Sequence, residues 1–223
     1  MTKLLASVMS LNEAQLALDC GVDIIDLKDP SRGALGALPH AIVSEVVRMV
    51  NRRLPLSATT GDLPMEPGIL SSAVRGMAKT GVEFVKVGFF PSDNWDACIN
   101  TLGAYAKTTR LVAVLFADRK PELSWLSQFV RAGFAAVMLD TANKLGGGLR
   151  HHLNDAVLGA FVTQAKSNGL MVGLAGSLRA EDVPDLLRLG PDYLGFRSTL
   201  CSEANRTHGF DQTRCAALRR LIQ

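Results

Sequence analysis

Eight short apolar runs, separated by amphipathic stretches, divide this chain almost evenly from end to end. They are residues 4–8, 24–28, 55–60, 84–89, 111–117, 135–141, 171–177 and 193–198. Their starts stand roughly 20–35 residues apart, room for one strand, one helix and two loops. Each run is short and apolar, as strands buried on both faces must be. Helical patterns fill the gaps, over 11–20, 40–53, 68–80, 95–107, 121–132, 152–168 and 181–189, and a last helix starts at Asp211. Ser10 and Glu13 give the first helix a capping-box-like start. Gly81, Gly133, Gly169 and Gly190 fall where left-handed C-terminal caps are needed.

Eight βα units in 223 residues predict an α/β fold, a (β/α)8 TIM barrel forming a single domain over residues 1–223. A doubly wound open sheet is the alternative. It is disfavoured because no GxGxxG follows the first run and no P-loop occurs. A low aromatic share, 6%, also argues against an all-β sandwich.

Several function classes are excluded next. The net charge of +3 is not concentrated in a basic block, so no nucleic-acid partner is expected. Cys20, Cys98, Cys201 and Cys215 form no CxxC pair. The histidines His40, His151, His152 and His208 lack metal-ligand spacing. No metal and no organic cofactor are therefore expected. No signal peptide or membrane-length apolar run is visible, so the expectation is a cytoplasmic protein with reduced cysteines and no membrane partner.

The chemistry lies in the polar residues that interrupt the runs. Side chains alternate across a strand. If Ile25 and Leu27 face the helices, Asp26 and Lys28 face the barrel interior. By the same alternation Lys86 points inward between Val85 and Val87, and Asp140 points inward after Leu139. These residues lie towards the C-terminal ends of alternate strands, the barrel face where active sites are built. Lysine is rarely buried without a partner. Two amines in one cavity repel, so at least one should lean towards its neutral, nucleophilic form. That pattern points to carbonyl chemistry through a Schiff base, with Asp26 orienting an amine or relaying a proton. Lys144 lies in a glycine-rich loop, 141–148, expected to close over ligand, where it can hold an anion or assist beside Asp140.

Phosphate binding is expected after the seventh and eighth runs, where this fold commonly holds it. Gly176 allows close backbone approach, Ser177 and Ser198 can donate, and Arg197 supplies charge. Ser57 and Thr59 are further candidate substrate donors.

Five segments occur in order at barrel spacing: Asp23-Ile-Ile-Asp-Leu-Lys-Asp-Pro30, Ser57-Ala-Thr-Thr-Gly-Asp62, Val85-Lys-Val-Gly-Phe89, Met138-Leu-Asp-Thr-Ala142 and Leu174-Ala-Gly-Ser177. Together they resemble the (5-formylfuran-3-yl)methyl phosphate synthase family, also called 4-(hydroxymethyl)-2-furancarboxaldehyde-phosphate synthase, of methanofuran biosynthesis. The resemblance covers nearly the whole chain. It implies a TIM barrel and a lyase condensing two molecules of glyceraldehyde 3-phosphate with loss of phosphate and water. It also implies Lys28 as the Schiff-base lysine and Lys86 as proton acceptor, with Asp140 and Lys144 at further active-site positions and Asp26 beside the Schiff-base lysine. The chain departs from the family after the fifth run, in the loop 146–148 and over 201–209, which bears on loop contacts more than on the chemistry.

The expected partner is a triose phosphate, and a homo-oligomer is expected because compact barrels often associate through their helices. Two alternatives stay open: a class I aldolase acting on a phosphorylated sugar, and a non-catalytic barrel that binds a phosphometabolite.

Overall fold

In a computed structural model describing residues 1–143 and 146–222, eight parallel strands follow one another around a closed barrel. They are β1 Lys3–Val8, β2 Ile24–Leu27, β3 Leu56–Thr59, β4 Phe84–Phe89, β5 Arg110–Phe116, β6 Ala136–Asp140, β7 Met171–Leu174 and β8 Tyr193–Phe196. The barrel closes through β1 and β8, with Lys3 opposite Tyr193 and Ala6 opposite Phe196. The helices are α1 Leu11–Asp19, α2 His40–Val50, α3 Pro67–Ala78, α4 Trp95–Ala106, α5 Leu126–Arg131, α6 Leu149–His152, α7 Asp155–Ser167, α8 Val183–Arg188 and α9 Gln212–Ile222. The expected TIM barrel is the fold. Among the described residues no helix is long and apolar enough to cross a membrane.

Two apolar clusters hold it together. The larger lies between strands and helices and takes the outward residues of each strand, such as Ile25, Leu27, Val85, Val87, Val137 and Leu139. The smaller fills the barrel and takes the inward residues, such as Leu5, Phe84, Val112, Val114 and Met138. Each fully buried side chain of this size contributes about 1.5–3 kcal/mol. Gly81, Gly133, Gly169 and Gly190 all have left-handed φ, from +68° to +85°, and end their helices as expected.

Several expected helices are shorter or divided, two of them for reasons visible in the local sequence. The helix predicted from Pro121 begins instead with a 3-10 turn, Leu123–Trp125, followed by α5. Pro121 cannot donate a hydrogen bond, and the residue before it, Lys120, is left-handed. The helix predicted from His152 breaks at Asn154, whose side chain accepts from the N–H of Val157 and starts α7 afresh.

One interior contact is unusually exclusive. Gly173 on β7 faces Tyr193 on β8. A Cβ at position 173 would lie 2.1 Å from the Tyr193 ring. The ring therefore fills the space that any side chain at 173 would need. The Lys86 amine stands 6.0 Å from the centre of that ring.

Candidate active site

Strand alternation delivers four ionisable groups to the C-terminal half of the barrel. Asp26 on β2, Lys86 on β4 and Asp140 on β6 are each 2% exposed, and Lys28, one residue beyond β2, is 7% exposed. They line one cavity. Lys86 Nζ lies 2.9 Å from Asp26 Oδ1. Lys28 Nζ lies 3.9 Å from Asp140 Oδ2, a looser contact.

Asp26 is held by more than the lysine. Ser57 Oγ donates to Oδ1 at 2.6 Å, and Ser7 Oγ donates to Oδ2 at 3.0 Å. Burial pushes the Asp26 carboxyl up, but Lys86, Lys28 and the Ser57 hydroxyl outweigh it and hold it below the ordinary carboxylate range. Asp26 is thus a carboxylate. For Lys86, burial is the dominant influence and lowers the amine below its ordinary range, with Asp26 opposing and Lys28 reinforcing the shift.

The residues of the predicted phosphate side are placed by the strands before them, β7 and β8. Gly176 and Ser177 follow β7 with φ of +106° and +49°. A Cβ on Gly176 would come within 3.0 Å of Thr141. Gly176, Ser177, Leu178 and Ser198 line the same cavity as the lysines. The N–H groups of Ser177, Leu178 and Ser198 have no protein acceptor among the described residues. Such a set of donors suits an anion.

Other candidates do different work. Arg197 lines the cavity, but its guanidinium is paired with Glu13 at 2.5 Å and is engaged by backbone carbonyls as well. Ser57 serves Asp26 rather than the cavity. Thr59 donates at 2.9 Å to the carbonyl of Gly36, bracing the loop after β2. Lys144 lies outside the described residues. Two participants were not anticipated. Ser7 follows Leu5 by two on β1, so alternation places it inward. Arg206, in the loop after β8, also lines the cavity, and nothing in the local pattern points to it.

A family profile described as 4-HFC-P synthase matches residues 4–219. The chain belongs to the 4-HFC-P synthase family. That makes it a member of a family of enzymes. A Methylorubrum extorquens protein, provisionally named (5-formylfuran-3-yl)methyl phosphate synthase, is 41% identical over 214 residues, 96% of this chain and 89% of that protein. The (5-formylfuran-3-yl)methyl phosphate synthase of Methanopyrus kandleri is 36% identical, covering 93% of this chain and 92% of its own. Among solved structures, a 3-hexulose-6-phosphate synthase superposes over 100% of both chains with a TM-score of 0.71 at 18% identity. That likeness concerns the fold alone.

Proposed function

We propose that this protein condenses two molecules of glyceraldehyde 3-phosphate to 4-(hydroxymethyl)-2-furancarboxaldehyde phosphate, as a cytoplasmic step towards methanofuran. The balance releases one phosphate and two waters. The observation that carries this proposal is the meeting of two buried lysines and two buried carboxylates, from β2, β4 and β6, at one barrel mouth in a chain of this family.

Lys28 is the nucleophile. Its amine is held loosely, 3.9 Å from Asp140, whereas Lys86 is held closely by Asp26. Lys28 Nζ attacks one triose carbonyl, and loss of water gives the imine. The imine withdraws electrons from the neighbouring carbon, and Lys86 takes the proton released there. The enamine expels its own phosphate, leaving an enol whose terminal carbon is nucleophilic and whose imine remains on Lys28. That carbon attacks the C2 carbonyl of the second triose, already isomerised from aldehyde to ketone by proton transfer from C2 to C1, and forms the carbon–carbon bond. The C1 hydroxyl of the second triose closes the ring on the C2 carbonyl of the first, loss of two waters aromatises it, and hydrolysis of the imine frees the aldehyde and the Lys28 amine. Asp26, fixed by Ser7 and Ser57, keeps Lys86 in place and stabilises its protonated form. Asp140 faces Lys28 and can stabilise the cationic imine. For Lys144, the support is the family resemblance.

The test is borohydride reduction in the presence of glyceraldehyde 3-phosphate, with peptide mass spectrometry and a phosphate-release assay. A reduced adduct on Lys28 together with phosphate release is expected. An adduct without phosphate release would point to a class I aldolase. Absence of both adduct and turnover would overturn the Schiff-base reaction.

A further inference from the structure

The cavity mouth carries two arginines, and their surroundings divide the work between them. Arg197 has no donor to spare. Its Nε donates to the carbonyl of Arg206 at 2.7 Å. Nη1 donates to the carbonyl of Ser7 at 3.2 Å and to Glu13 at 2.5 Å. Nη2 donates to Glu13 at 3.2 Å and to the carbonyl of His208 at 3.0 Å. A guanidinium has five N–H donors, and these contacts account for all of them. A phosphate at Arg197 would have to displace a buried carboxylate.

Arg206 is in the opposite position. Its Nη2 donates to the carbonyl of Gly33 at 2.8 Å, in the loop that follows Lys28. No other hydrogen bond and no ion pair of its side chain is found among the described residues. Asp140, Asp62 and Asp29 act on it only through space. Both oxygens of Asp62 are already taken, by the N–H groups of Ala34 and Leu35. Arg206 is therefore a half-buried cation with most of its donors unused. It lines the cavity that holds Lys28, Ser177 and Ser198.

We propose that Arg206 is a substrate-binding residue that grips a phosphoryl group of the bound triose phosphate, and that Arg197 and Glu13 position it. The planar fork suits a phosphate, which can accept two parallel hydrogen bonds. The unbonded N–H groups of Ser177, Leu178 and Ser198 supply neutral donors, and Arg206 supplies the charge. Positioning follows from the contacts: Arg197 holds the carbonyls of Arg206 and His208, and Glu13 fixes Arg197. The proposal rests on the phosphorylated substrate named above.

The experiment measures inorganic phosphate binding by calorimetry in the wild type, Arg206→Gln and Arg206→Lys. A weakening of about tenfold or more is expected in Arg206→Gln, with Arg206→Lys intermediate because it keeps charge but loses the fork. The second readout is the preference of borohydride trapping for glyceraldehyde 3-phosphate over unphosphorylated glyceraldehyde. It should fall by a similar factor. Unchanged phosphate affinity in either correctly folded variant overturns the assignment. Wild-type protein that binds phosphate but traps neither aldehyde overturns the Schiff-base function and leaves calorimetry to decide Arg206. For Glu13→Gln, KM for glyceraldehyde 3-phosphate should rise more than kcat falls. Lower thermal stability with KM unchanged removes the positioning role.

Discussion

Asp26 receives hydrogen bonds from Ser7 and Ser57 while its Oδ1 lies 2.9 Å from the Lys86 amine, so one buried carboxylate anchors three neighbours on three strands. Removing only the lysine leaves that carboxylate buried without its closest cation. Lys86→Met should cost about 3 kcal/mol of stability, whereas Asp26→Asn combined with Lys86→Met should recover much of the loss. Urea denaturation of the single and double variants measures both; equal losses would show that the pair contributes no mutual stabilisation.

The Lys86 amine titrates below the ordinary lysine value of about 10.4, and its two charged neighbours act on it with opposite signs. Asp26 favours the ammonium form, so Asp26→Asn should move the titration to still lower pH. Lys28 disfavours it, so Lys28→Met should move it upward. Carbon-13 NMR of labelled lysine side chains follows each shift. The unfolded chain binds the proton more tightly than the folded one, so this group makes stability rise with pH between its folded value and about 10.4. Shifts of the same sign in the two variants would contradict this electrostatic picture.

Gly176 combines a φ of +106° with a backbone approach that would bring a Cβ within 3.0 Å of Thr141 Cγ2 and 3.1 Å of its nitrogen. Gly176→Ala should destabilise the protein by about 2 kcal/mol, from backbone strain and crowding together. It should also weaken phosphate binding, because the turn that presents Ser177 and Leu178 must shift. A thermal melt and a phosphate titration on the same sample check both effects.

Gly173→Ala should cost about 1–3 kcal/mol, since the added methyl overlaps the Tyr193 ring rather than a flexible chain end. Tyr193→Phe should not rescue it, because the overlapping atoms include ring carbons and not only the hydroxyl. Tyr193→Leu should rescue it in part. A double-mutant cycle gives the coupling, and additivity would mean the two side chains do not compete for this space.

Much of this was legible because a strand has a period of two. The inward placing of Asp26, Lys28, Lys86 and Asp140 needs only the apolar partners beside them and the number of strands. The same period reaches Ser7, but a serine inside an apolar run carries little chemical signal. Arg197 was legible as inward-facing but not as engaged, since its counter-charge, Glu13, lies 184 residues away. Glu13 carried a local signal that partly misled. Ser10 does accept from its N–H, but its carboxylate accepts from the N–H of Met9 and reaches across to Arg197. Arg206 was not legible, because the loop 201–209 has no periodicity and its path is set by tertiary contacts.

The seam that closes the barrel joins β1 to β8, the first and last strands in sequence, and the Glu13–Arg197 ion pair crosses the same seam. During synthesis neither contact can form until β8 and Arg197 have emerged from the ribosome. Until then the first strand is an unpaired edge, open to pairing with another chain. A nascent chain stalled before residue 193 should therefore be a client for chaperones rather than a smaller working barrel, and active-site assembly waits on the synthesis of the eighth strand.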